Sequence, residues 1–258
     1  MTDLRNYNSL YKAYTELLIQ KEKLNKEMMR LRFRYLVIFG ELKNEAVRNR
    51  ETGKILLKKI NYCKRMVQQA LPITEKNMDM ALEKDILKSW RIIQLGEISY
   101  SEACATFSDT AAQVRDHDPE EVQGAFDTLL EILSPDLHPD LQRNKDALSL
   151  WAAVVRAYVL NDLDYLKIVA SFKADLVQVF NLLNEPVLSD LEKRIDELKK
   201  RINGYSDCEE FGFSSILADP RRIEEEKKRL TTQIQYFADS ILEFEQKLDS
   251  FPILRMLS

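Results

Sequence analysis

The stretch SPDLHPDLQRN, residues 134–144, decides how this sequence is interpreted. It holds one of only two histidines in the chain, followed at once by a proline and an aspartate, and it lies between two segments with helical periodicity. Proline fixes its own φ and restricts the residue before it, so the turn is stiff. Such a turn can hold His138 and Asp140 outward for a partner at little entropic cost. Asp140 would then suit a charge-assisted contact with an arginine of that partner.

Helical signals flank this turn on both sides. Before it, Asp118-Pro119-Glu120-Glu121 combines a capping residue, a proline suited to the first helical position and two acids that favour a helix start. The helix then shows one apolar face and is expected to end at Pro135; that face comprises Val122, Phe126, Leu129 and Leu133. After the turn, apolar residues again recur at helical spacing, among them Trp151, Val154 and Tyr158. The sequence therefore predicts a helix–turn–helix.

The tripeptide His138-Pro139-Asp140 and the segment WAAVVRAYVLND, residues 151–162, together resemble the J domain of DnaJ-type co-chaperones. In that family an antiparallel helix pair displays HPD between its second and third helices, and the third helix would be residues 147–162 here. The resemblance covers about residues 118–170. It implies a non-enzymatic co-chaperone or adaptor whose HPD loop binds a DnaK-type chaperone, on helices supported by Phe126, Leu129, Trp151, Val154, Ala157 and Tyr158.

Two features depart from the J-domain pattern. The helix before the turn, PEEVQGAFDTLLEIL, carries four acids and no Lys or Arg, whereas the family has basic residues there. An acidic helix would repel an acidic partner surface. Pro135 also interrupts the last turn before HPD. These departures leave an alternative open, namely a structural or scaffolding protein with a degenerate J-like domain and no chaperone stimulation.

Long helices are expected on both sides of the J-like segment. Six Gly and seven Pro in 258 residues favour helices over a strand-rich fold. At the N-terminus, seven-residue apolar rhythms run over residues 10–42 and 56–70, and the polar stretch 48–53 between them predicts an antiparallel hairpin. A shorter helix, 77–95, would end at Gly96 and bury one face, formed by Leu82, Ile86, Trp90 and Ile93.

The C-terminal part predicts a second helical hairpin. Apolar seams cover residues 188–202, ending at Gly204 as a left-handed cap, and residues 230–248, with an irregular linker 205–218 between them. The predicted fold is therefore all-α, a central J-like antiparallel helix pair flanked by coiled-coil-like arms. Its expected parts are a basic N-terminal hairpin, a J-like domain and a C-terminal hairpin, at residues 1–95, 96–172 and 173–258. The arms would bind a client protein or a second copy.

Charge is distributed unevenly along the chain. Residues 21–65 contain 14 Lys and Arg against 5 Glu, whereas residues 97–140 contain 11 acids and one Arg. One interpretation is that these helix faces of opposite sign attract one another. The other is that the basic segment binds RNA or an anionic membrane surface.

Composition argues against several classes of chemistry. The three cysteines, Cys63, Cys104 and Cys208, form no CxxC or Cys/His pattern, so neither a disulfide framework nor a zinc site is predicted. Reduced thiols and the lack of an apolar signal core favour a cytoplasmic location. Two histidines and no nucleophile motif offer no candidate for a hydrolytic triad. The sequence predicts no enzyme activity, cofactor or metal.

Overall fold

A computed structural model of the chain describes residues 2–113, 117–182 and 190–254. Its helices are α1 Thr2–Gln68, α2 Glu75–Gln113, α3 Pro119–Leu133, α4 Lys145–Leu160, α5 Leu163–Ser171, α6 Lys173–Val179, α7 Leu191–Gly204, α8 Glu209–Leu217 and α9 Pro220–Asp249. Two-residue strands, β1 Ile73–Thr74 and β2 Ile253–Leu254, pair in parallel. The predicted all-α class is confirmed.

The chain divides into two compact units. The first unit comprises residues 1–32 and 108–214, and the second comprises residues 33–107 and 215–258. These boundaries differ from the three consecutive segments expected from the sequence. Each unit is built from stretches that are distant in the sequence, because α1 and α2 both contribute residues to the two units.

The predicted break in the N-terminal arm at residues 48–53 is wrong. Helix α1 continues through this stretch to Gln68, and the chain reverses only at residues 69–74. Gly53 is buried within α1 and faces Ile241 and Phe244 of α9. A helical glycine lowers stability by only about 1 kcal/mol relative to alanine, and packing of this kind offsets that penalty.

The predicted helix end at Gly96 is also wrong, since α2 runs without interruption from Glu75 to Gln113. Gly96 and Gly40 instead lie where α1 and α2 approach closely. A Cβ atom on Gly40 would overlap the ring of Tyr100, and one on Gly96 would lie 2.8 Å from Oδ1 of Asn44. Gly40 is therefore needed for this close approach, whereas a side chain at Gly96 would only require the Asn44 amide to shift.

The C-terminal hairpin takes a different form from the prediction. Helices α7 and α9, its expected halves, fall in different units. The expected irregular linker contains helix α8, and Gly204 has a right-handed φ of −67° where a left-handed cap was expected. Leu188, in the predicted start of the α7 seam, lies outside the described residues.

The core of the first unit brings together residues of five helices. Helices α3, α4 and α5 supply most of its buried side chains, including Phe126, Leu133 and Leu166. Tyr14 and Leu18 of α1 also belong to this core, as do three residues of α7, namely Leu191, Ile195 and Leu198. Helices α3, α4 and α5 therefore share one hydrophobic core with parts of both predicted arms.

Candidate partner-docking site

The turn at residues 134–144 begins with a tight reversal at the end of α3. Ser134 is the C-cap, and its extended backbone (ψ 120°) is the conformation favoured before Pro135. Its carbonyl then accepts hydrogen bonds from the amides of Leu137 and His138, at 3.0 and 2.9 Å. These bonds fold the chain back immediately after the helix and fix the position of the HPD tripeptide.

A short 3₁₀ helix, Pro139–Arg143, forms the second half of the turn. The amide of Leu141 donates to the carbonyl of His138 at 2.9 Å, and Asn144 caps α4 by accepting from the amides of Asp146 and Ala147. Leu137 and Leu141, each of which follows a Pro-Asp pair in the turn, are both buried. Two apolar anchors therefore hold the turn against the core.

His138 does not project into solvent, and the expectation that it would is wrong. Its side chain is buried, with 8% of the residue exposed, and Nε2 lies 2.7 Å from the carbonyl oxygen of Glu131. In an uninterrupted helix that carbonyl would accept from the amide of residue 135, but Pro135 has no N–H. His138 therefore satisfies an acceptor that the proline leaves open, with Nε2 as the donor.

Asp140 is exposed at the first turn of the 3₁₀ helix, as expected, and Pro139 beside it is partly buried. Its carboxylate remains available for a charge-assisted contact. Of the three predicted partner-binding residues, Asp140 is therefore exposed, Pro139 is partly buried and His138 is buried.

An ion pair with α1 fixes the start of the turn. Lys21 Nζ donates to Asp136 Oδ2 at 3.1 Å and also lies 2.8 Å from Glu22 Oε1. Burial alone would lower the pKa of Lys21, but the two carboxylates raise it above its ordinary value. Gln142 adds a second brace by donating Nε2 to the carbonyl of Pro135 at 3.2 Å. The contact between Lys21 and Asp136 joins residues 115 positions apart, so no local sequence pattern predicts it.

The predicted supporting side chains do pack together. Phe126 stacks on Tyr158 with ring centroids 3.9 Å apart, and Trp151 lies 5.8 Å from Phe126. Leu129, Val154 and Ala157 are buried in the same cluster. Gln123, near the start of α3, accepts a 2.5 Å hydrogen bond from the hydroxyl of Tyr158, near the end of α4. Because the other ends of these helices are joined by the turn, the pair runs antiparallel.

A polar network extends from the Tyr158 ring. Burial raises the pKa of Tyr158 to about 12, and the Nζ of Lys26 lies 4.0 Å above its ring centroid. Burial, together with nearby Arg30, lowers the pKa of Lys26 to about 8. On the far side, Gln123 donates to Asp127, whose pKa burial raises. Helix α1 therefore contacts the α3–α4 pair through the partly buried ammonium group of Lys26.

The solvent face of α3 is acidic. Glu120, Glu121 and Glu131 are exposed, and of these Glu121 is engaged by Lys167 at 2.8 Å. Asp140 adds a further exposed carboxylate in the turn. The acids of this segment thus form an exposed face of α3, the feature by which the sequence departs from the J-domain pattern.

Acids of the same chain engage part of the basic segment. In the second unit, Arg48 contacts Glu97 at 2.7 Å, Lys59 contacts Asp79 at 2.9 Å, and Lys58 contacts Asp85. In the first unit, Lys21 contacts Asp136 in the same way. Glu97 and Asp136 belong to the acidic stretch 97–140, so their two pairs agree with the interpretation that the oppositely charged segments attract one another, whereas Asp79 and Asp85 lie outside that stretch.

Comparisons with known proteins identify no relative. No family model matches the chain, and neither the curated proteins nor the solved structures provide a match. Within residues 2–113, 117–182 and 190–254, no helix combines the length and hydropathy needed to cross a bilayer. The same described stretches contain no group of three or more His, Cys, Asp or Glu side chains placed to hold a metal ion.

Proposed function

We propose that this protein is a non-enzymatic, J-like co-chaperone or adaptor that docks a DnaK-type chaperone through the turn at residues 138–140. The carrying observation is the exposed carboxylate of Asp140, on a turn held by Leu137, Leu141 and the Lys21–Asp136 ion pair. A docking group fixed in this way loses little conformational entropy on binding. The proposal includes a cytoplasmic location, where the three cysteines would stay reduced.

In this proposal the three HPD residues have different roles. Asp140 contacts an arginine of the chaperone. His138 is a positioning residue, since its ring satisfies the Glu131 carbonyl and holds the turn against the end of α3. Pro139 starts the 3₁₀ helix that carries Asp140.

A single-turnover ATPase assay with a DnaK-type chaperone tests the proposal. Wild type should accelerate ATP hydrolysis, and Asp140→Asn should abolish most of that stimulation while the variant unfolds at the same urea concentration as wild type. Asp196→Asn, which neutralises an exposed aspartate of α7, is the matched control and should stimulate normally. Absence of stimulation by wild type, or full stimulation by Asp140→Asn, would reject the co-chaperone role.

The second candidate is a scaffolding protein whose J-like element is purely structural. The specific observations in its favour are the buried imidazole of His138 and the acidic solvent face of α3. This candidate predicts no chaperone affinity but self-association through the helical arms, measured by sedimentation equilibrium. Leu24→Lys combined with Leu31→Lys should then dissociate the assembly, and an unchanged assembly would exclude that seam as the interface.

A further inference from the structure

Helix α2 has apolar side chains on two opposite faces. One face packs in the core of the second unit and includes Met78, Leu82 and Ile93, all buried. Trp90, which the sequence placed on that face, is exposed at its edge, where an outer stripe of side chains begins. Five large apolar side chains form this outer stripe, each more than half exposed: Met80 67%, Leu87 61%, Trp90 56%, Leu95 55% and Ile98 53%.

The outer stripe is long enough to meet another helix. From Met80 to Ile98 it extends about 27 Å at the α-helical rise of about 1.5 Å per residue. Met80 and Leu87 are seven residues apart, as are Lys84 and Arg91. Seven-residue spacing keeps side chains on one side of a helix, where a partner helix can pack against them.

The charges of α2 are sorted between its two sides. Asp79, Asp85 and Glu97 are engaged by cations of α1, as described above. In contrast, Lys84, Lys88 and Arg91 are exposed and form no ion pair within the described part of the chain. Glu83 is the one exposed acid between residues 80 and 98 that α1 leaves free, so the outer side of this stretch carries a net positive charge.

We infer that the outer stripe of α2 is a docking surface for an amphipathic α-helix of a partner protein, one with an apolar face flanked by Asp or Glu. The apolar side chains would pack against the partner's apolar face, and Lys84, Lys88 and Arg91 would pair with its acids. This inference is independent of the proposed function, because it concerns a different unit from the HPD turn.

Two other occupants fit the stripe less well. A membrane surface would have to accommodate Lys84 and Arg91 at the same depth as Leu87, since these side chains alternate along one stripe. A second copy of α2 would bring its own Lys84, Lys88 and Arg91 close to the same cations. An acidic helix matches both the apolar and the cationic positions.

Trp90 provides a direct readout of binding. The probe is a synthetic helix of about four heptads with leucine at a and d and glutamate at e and g; the matched control peptide has lysine in place of glutamate. Full-length Trp151→Phe protein leaves Trp90 as its single tryptophan. We expect the glutamate peptide to shift Trp90 emission to shorter wavelength and to bind at least about tenfold more tightly than the lysine peptide.

Variants in the same background test whether the stripe is the site. Leu87→Gln with Ile98→Gln should weaken binding of the glutamate peptide at least about tenfold, and Lys84→Glu with Arg91→Glu should reverse the preference between peptides. Leu242→Gln and Lys228→Glu, exposed positions of α9, are the controls and should bind like the parent. All these sites are exposed, so melting followed by circular dichroism should match the parent protein.

Three results would overturn the inference. The first is equal binding of the two peptides, or binding that the stripe variants leave unchanged. The second is a dimer of the protein alone that Leu87→Gln with Ile98→Gln converts to a monomer, which would assign the stripe to a second copy. The third is binding to phosphatidylserine-containing vesicles that the same double variant abolishes, which would assign it to a membrane.

Discussion

The imidazole of His138 donates a hydrogen bond to the carbonyl of Glu131, at the end of α3. It thereby replaces the backbone N–H that Pro135 lacks. The same physical principle applies to Glu51, a buried carboxylate that receives hydrogen bonds from Lys54 at 2.8 Å and Ser89 at 3.0 Å. Burial would raise the pKa of Glu51, but these bonds hold it below its ordinary value. In both places side-chain hydrogen bonds satisfy a buried acceptor, which is the backbone carbonyl of Glu131 in one case and the carboxylate of Glu51 in the other.

Replacement of His138 should destabilise the first unit. His138→Ala leaves the Glu131 carbonyl without its donor and should lower the free energy of unfolding by about 1–3 kcal/mol. Asp140→Ala removes an exposed side chain and should change it by less than about 0.5 kcal/mol. Urea unfolding of both variants measures the difference. Equal stabilities would show that the His138 hydrogen bond contributes nothing to the fold.

Lys26 should make stability depend on pH in the alkaline range. Its pKa is about 8 in the folded protein, against an ordinary value of 10.5, because burial disfavours the charged form. Between these values the folded state binds fewer protons than the unfolded state, so the Lys26 contribution to the free energy of unfolding rises with pH. Wild type should therefore gain stability relative to Lys26→Met as the pH rises from 8 to 10.

Urea unfolding at pH 7, 8, 9 and 10 provides the measurement, and only the difference between the two proteins is interpreted, since other groups titrate in both. Lys12→Met is the control, because the Lys12 side chain is 80% exposed. A constant difference between wild type and Lys26→Met across this range would contradict the prediction.

At the scale of elements, close packing between helices explains why glycines that were expected to end helices lie inside continuous ones. Helix α1 spans 67 residues and α2 spans 39, and glycines lie inside both. At Gly40 the ring of Tyr100 occupies the space that a Cβ would need. The absence of a side chain at Gly40 allows α1 and α2 to approach closely. The periodicity of either helix alone does not predict this contact.

Two glycine substitutions should have opposite effects. Gly40→Ala gains helix propensity but forces the Tyr100 ring to move, and we expect a net loss of about 1–3 kcal/mol in the free energy of unfolding. Gly124→Ala in α3 meets no atom within 4 Å and should stabilise by about 0.5–1 kcal/mol. Thermal unfolding compares them. A stabilising Gly40→Ala would show that α1 and α2 do not cross there as described.

At the scale of the whole molecule, each unit depends on segments far apart in the chain. The domain expected at residues 96–172 would exclude Leu18 of α1 and the buried side chains of α7. These residues belong to the core of the first unit. A segment cut at those boundaries would leave apolar surface uncovered. The first unit is therefore expected to be stable only with residues from the beginning of α1 and from α7 in place.

Truncation of one α1 side chain tests this dependence. Leu18 is 1% exposed, and Leu18→Ala should lower the free energy of unfolding by about 2–5 kcal/mol through lost burial and a residual cavity. Leu57→Ala, at a residue 44% exposed, is the matched control in the same helix and should cost less than about 0.5 kcal/mol. Similar losses for the two variants would mean that Leu18 is not a core residue.

The sequence alone determined the features that depend on neighbouring residues. The all-α class, the start of α3 at Asp118-Pro119 and the buried positions Phe126, Val154 and Tyr158 all follow from capping chemistry and helical periodicity. These signals act within a few turns of helix, so they can be recognised in a single chain.

Only the tertiary structure decided the orientation of His138, the continuity of α1 and α2, and the placement of α7 in the core of the first unit. Each depends on atoms that meet across space: a carbonyl left open by Pro135, a Tyr100 ring against Gly40, and a core completed by distant segments. Local pattern cannot encode these contacts, because long-range packing can outweigh the small propensity differences that a glycine or a turn residue introduces.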